Sequence, residues 1–78
     1  MYVVYAIKWT EYERGWGNRP DGISYHASKE DAENFIKTYW DGMPDVAPYC
    51  YSSPGYAKLI EVEPEIWHTV QIKRNIWA

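Results

Sequence analysis

"YVVYAIKW", residues 2–9, decides the fold. Side chains alternate across a strand, so Val3, Tyr5, Ile7 and Trp9 share one face, and Tyr2, Val4, Ala6 and Lys8 the other. Valine and tyrosine favour pleated backbone, and the second face carries enough apolar atoms to need at least partial cover. The stretch therefore reads as a central strand. Everything else in the chain is placed by asking what pairs with it and what lies over it.

Going outward, the charged and glycine-rich run from Glu11 to Gly22 breaks the alternation, and Arg19-Pro20-Asp21-Gly22 has turn chemistry. It reads as a long loop. "ISYHA", residues 23–27, reads as a short strand returning beside the first. Ser28 followed by Asp31 is a carboxylate form of the capping box, and Glu30, Asp31 and Glu33 concentrate negative charge where a helix dipole favours it. Ala32, Phe35, Ile36, Tyr39, Trp40 and Met43 then fall on one helical stripe, Glu33 and Lys37 form a favourable i,i+4 pair, and Gly42 with Pro44 ends the helix.

Three prolines and two serines make residues 43–55 a second long loop, of a length that is usually functional in compact domains. "YAKLIEVE", residues 56–63, resumes a strand. The tail admits two readings: Pro64 and Glu65 suit a helix start, whereas Val70 to Lys73 alternates like a strand. The preferred reading is a short helix from 64 to about 73, followed by an extended end. These elements predict one small α+β domain over residues 1–78. It has a three-stranded sheet in the order 2-1-3, one main helix packed on a face through a right-handed crossover, and a short C-terminal helix. The sheet would keep two edges, which invites self-association.

A chain of 78 residues buries only about 60 to 65% of its unfolded surface, so the core is small. Five tryptophans, eight tyrosines and one phenylalanine are more rings than such a core readily hides. The single cysteine excludes an internal disulfide, and with two histidines it matches no compact zinc motif, so neither metal nor cofactor is expected. A net charge of −3 does not suit a general nucleic-acid binder, and no stretch approaches the ~18 apolar residues of a membrane span. Without a basic, cleavable leader pattern the expected location is the cytoplasm.

Among candidate chemistries, Cys50 with His26 or His68 could be drawn as a nucleophile and base, but nothing in the spacing demands it. The aromatic and arginine residues of the loops say more. Arg14, Trp16 and Arg19 in the first loop, with Tyr49, Tyr51 and Tyr56 in and after the second, have the composition of a recognition surface. Both loops should reach the same end of the sheet. Trp16 has two readings, a presented anchor or a lid over the core. Trp67, Ile76 and Trp77 are candidates for a subunit interface, or for packing on the main helix.

"MYVVYAIKW" at the start, "SKEDAENFIKTYWDGMPD" in the middle and the aromatic-rich tail give the whole chain a texture similar to small accessory proteins of tailed bacteriophages. That resemblance implies a protein that binds and blocks a host or defence component, or one that sequesters a signalling nucleotide. It transfers no individual residues. The functional expectation is a non-enzymatic, homo-oligomeric interaction protein with a protein partner. The alternatives are a sponge for a small anionic nucleotide held by rings and Arg14, Arg19 or Arg74, and, last, a small Cys/His enzyme.

Overall fold

In the computed structural model, residues 3–9 lie in the central strand, which runs well beyond the alternation of residues 2–9 as β1, Val3–Glu13. The residues described are 1–13, 15, 17–44 and 50–77, with Cys50 described by its backbone alone. Strand β2 is Gly17–His26, followed by helix α1, Lys29–Asp41. Strands β3, Cys50–Pro54, and β4, Lys58–Glu61, come next, then helix α2, Pro64–Lys73, and strand β5, Asn75–Trp77.

The fold is α+β, and the expected three-strand order is corrected to an antiparallel sheet of five strands, β3-β1-β2-β5, with β4 also on β1. Strands β2 and β4 flank β1 as foreseen. Both run antiparallel to it, hence parallel to one another, and α1 lies between them in sequence. Strands β3 and β4 share one edge of β1: β3 pairs with Trp9–Glu13 and β4 with Val3–Ala6. The Gly55 N–H donates to the Lys8 carbonyl at 2.8 Å and closes the gap between them. The extended end after α2 is β5, which pairs with Ser24–His26 on the outer edge of β2.

Of the two stretches read as loops, Glu11–Gly22 is largely strand and 43–55 contains strand β3, and the reason is the same for both. Beyond Trp9 the β1–β2 ribbon is held by cross-strand side-chain pairs rather than by burial, so it carries no apolar alternation. Glu11 stands opposite Arg19 in register and its carboxylate accepts from the guanidinium at 3.0 Å. Tyr12 stands opposite Tyr51, with their rings stacked 5.6 Å apart. Gly15 and Gly17, at φ of 82° and 87°, supply the left-handed backbone at the ribbon's turn. The register slips between Trp9 and Thr10, where Pro20 and Asp21 are accommodated as a bulge.

Helix α1 lies on the Ile7–Trp9 face. Ala32 is buried with those two residues, and Phe35, Ile36 and Tyr39 pack against them, as does Ala57. Trp40 leaves the stripe and stays exposed. Because α1 occupies that face, the burial of Val4 on the other requires a second cover. Helix α2 supplies it: Val70 is fully buried and the Trp67 ring meets Tyr2 edge-on at 5.5 Å. At the start of α1 the Ser28 hydroxyl accepts from the Asp31 N–H at 3.1 Å, the N-cap half of the expected capping box, while the Asp31 carboxylate accepts from the Ser28 hydroxyl at 2.9 Å instead of from the Ser28 backbone N–H. Glu33 pairs with Lys29 at 4.0 Å rather than with Lys37. Ser28→Ala is expected to lower stability by about 1 kcal/mol through loss of the N-cap, measurable as a reduced urea midpoint at unchanged slope.

Candidate functional site

A buried polar chain crosses the core. The Trp9 indole Nε1–H donates to Ser24 Oγ at 2.7 Å, and Ser24 Oγ lies 2.8 Å from His26 Nε2. His26 Nδ1 lies 2.6 Å from Asn75 Oδ1. A carbonyl oxygen only accepts, so Nδ1 carries the proton and Nε2 accepts from the Ser24 hydroxyl. The alternation explains the assembly: Trp9, Ser24, His26 and Asn75 all fall on the α1 face of β1, β2 and β5, with Ser24 opposite Ile7, His26 opposite Tyr5 and Asn75 opposite His26.

Serine, imidazole and a side-chain amide in this order have the connectivity of a nucleophile, its base and an orienting group. Ser24 and His26 are nevertheless fully buried, and Trp9 already occupies the serine oxygen, so no substrate atom reaches it. Burial lowers the His26 pKa below the ordinary value of 6.5, against the opposing pull of the Asn75 hydrogen bond and the Asp31 charge. Both ring nitrogens are engaged, which leaves neither for a thiol. His68 sits exposed on α2, beside Trp67.

The chain ends at a cleft of about 430 Å³ between α1 and β5. Phe35, Tyr39 and Trp77 give it aromatic walls, while Asp31, Asn34 and Asn75 bring polar groups. Trp77 packs 5.1 Å from Trp9 and 6.2 Å from Phe35, yet remains 52% exposed. Gly22, opposite Trp9, puts no side chain between those indoles. Asn75 Oδ1 is engaged by His26, and Asn75 lines the cleft. At the cleft's edge Arg74 clamps Asp31 with two hydrogen bonds, of 3.0 and 2.7 Å. The Ser28 hydroxyl first, and then that guanidinium, hold the Asp31 carboxyl below its usual range.

Of the recognition residues read from the sequence, Arg14, Trp16 and Tyr49 lie outside the described residues. The strand ends that lead to them are adjacent, since Glu13 pairs with both Gly17 and Cys50. Arg19 is paired with Glu11, and Tyr51 is stacked on Tyr12 at that same end. Tyr56 is elsewhere: it follows Gly55, beside Lys8, and is 91% exposed. Of the interface candidates, Trp77 packs on α1, Trp67 on Tyr2, and Ile76 is half-buried in β5. The polar chain escaped the sequence reading, although "ISYH" places Ser24 and His26 at i,i+2 on one strand face.

No family model, curated protein or solved structure matches this chain. Among the described residues no cluster of three or more histidine, cysteine or acidic side chains could hold a metal, and no helix is long and apolar enough to cross a membrane.

Two outcomes follow from the polar chain. Ser24→Ala strands the Trp9 N–H and His26 Nε2 in the core and is expected to cost about 1–3 kcal/mol in chemical denaturation. A histidine held neutral in the folded state binds fewer protons than in the unfolded one. Stability should therefore be insensitive to His26 above pH 6.5 and fall as pH drops from there toward its lowered folded-state pKa, in urea titrations across that range.

Proposed function

We propose that this chain is a non-enzymatic binding protein that engages a protein partner, a host or defence component, through its aromatic surface. The observation that supports it most directly is that Tyr2, Tyr12, Trp40, Tyr56 and Trp77 all keep substantial exposure although the core is short of apolar volume. Large, rigid rings with few rotatable bonds are the residues that dominate protein-recognition energetics. Tyr12 and Tyr51 form a stacked pair on one face of the far end of the ribbon, and the Glu11–Arg19 ion pair stands on the other face of the same end. The partner docks at that end, with Arg14, Trp16 and Tyr49 contributed by the adjoining segments, and the protein acts in the cytoplasm as a homo-oligomer.

The cleft between α1 and β5 favours a second reading, the sequestration of a small nucleotide. Its aromatic walls suit a planar base, and the Asn34 and Asn75 amides suit the donor and acceptor pattern of a base edge.

The readings separate experimentally. For the first, Tyr51→Ala and Trp16→Ala should abolish capture of a specific partner from host lysate while shifting the melting temperature by no more than a few degrees. Retained capture with a lowered melting temperature would reject it. For the second, a nucleotide that raises the melting temperature should lose that effect on Asn75→Ala, because selective binding to the folded state stabilises it.

A further inference from the structure

On the sheet face opposite α1, beyond the part that α2 covers, lies a groove of about 270 Å³. Its floor is Ala6, Ile23 and Ile60, and its rim is Lys8, Lys58 and Tyr56. The register explains the grouping. Ile23 stands opposite Lys8, Lys58 opposite Ala6 and Ile60 opposite Val4, so all of them project from one face of β1 and its two neighbours. We propose that this groove binds a small anionic amphiphile, a carboxylate carried on an unbranched alkyl chain. The site is separate from the proposed protein-binding end and does not depend on that reading.

Charge carries the argument. Arg19, Lys29 and Arg74 each have an acidic partner, at 3.0, 4.0 and 2.7 Å. Lys8 and Lys58, like Lys37 and Lys73 on the helices, have no acidic partner among the described residues, but Lys8 and Lys58 line the same groove, which no acidic side chain lines. Being diagonal neighbours in the ladder, their stems start roughly 7 Å apart, so two like charges flank one apolar floor in a protein whose net charge is −3. One carboxylate between the two ammonium groups neutralises their repulsion and gains charge-assisted hydrogen bonds. Tyr56 stands on the same rim.

Floor and volume define the rest of the ligand. Ala6, Ile23 and Ile60 are aliphatic, which suits an alkyl chain better than a polar heterocycle. A groove of about 270 Å³ suits a short alkyl chain, for which octanoate serves as the probe. Lysine stems can also lie along such a tail while their charged ends meet the headgroup.

The test is a chemical-shift titration of the full ¹⁵N-labelled chain with sodium octanoate, 1-octanol or octyltrimethylammonium, each below its aggregation concentration. Octanoate should give saturable shifts at the amides of Lys8, Ile23, Lys58 and Ile60. Octanol should bind about tenfold or more weakly, and the ammonium should give no saturable shift. The double variant Lys8→Gln/Lys58→Gln should reduce octanoate affinity to that of octanol and leave octanol binding and the melting temperature unchanged. Equal binding of octanoate and octanol to the unsubstituted chain, shifts centred elsewhere or no saturable response would overturn the proposal. So would shifts of these same amides on raising protein concentration alone, which would assign the groove to a second copy.

Discussion

The Trp9 indole cannot be buried without an acceptor for its N–H, and the remainder of the structure is arranged around that requirement. Trp9 is the largest side chain fully enclosed in the core, where an unpaired polar group is expensive. Ser24 satisfies it, the serine hydroxyl in turn needs His26, and the imidazole needs Asn75. Three strands are thereby fixed in mutual register by groups that each have one acceptable partner. Apolar packing alone is tolerant of sliding; this series of donors and acceptors is not, since a one-residue slip would turn Ser24 or Asn75 to the opposite face.

That dependence explains which parts of the fold were legible in the sequence. Strand β1 and helix α1 were readable because their apolar periodicity reports burial directly, and Ser28 with Asp31 marked the helix start. The Glu11–Gly22 ribbon and Cys50–Pro54 were missed because their stabilising contacts, Glu11 with Arg19 and Tyr12 with Tyr51, join residues distant in sequence and leave no periodic trace. Pro20 looked like a loop marker but is accommodated at a bulge. Strand β5 is three residues long, too short for any alternation to be read, and its place is set by His26 and by the Ala27 N–H donating to the Arg74 carbonyl at 2.9 Å. The convergence of the two loops on one end was legible because β1 is central and its neighbours are antiparallel. Separation of Tyr56 from Tyr51 was not, because it depends on Cys50–Pro54 forming a strand, which carries Tyr51 along β1 to Tyr12 and leaves Tyr56 beyond its other end, near Lys8.

The two faces of the sheet divide the surface chemistry. On the α1 face, polar groups sink into the core and reappear at the cleft beside Trp77, so the cleft's amide is oriented by interior hydrogen bonds. Rigidity of this kind lets a site hold donors in place without spending binding energy to order them. On the opposite face Lys8 and Lys58 have no acidic partner among the described residues, and the floor is aliphatic. Tyr39 links the first face to the edge: its hydroxyl donates to the Ser52 carbonyl, tying α1 to β3 and so to the strand that carries Tyr51. A force applied at the aromatic end of the ribbon therefore has a covalent and hydrogen-bonded route to the main helix.

The hydrogen bond between His26 and Asn75 spans 49 positions of sequence. Any folding intermediate that has formed the β1–β2 hairpin and docked α1 still holds an imidazole whose Nδ1–H lacks its native acceptor, so the interior closes only when the last strand arrives. Such distant dependence raises contact order, a property that goes with slower folding across small proteins. The centre of this small chain is sealed by one of its shortest segments.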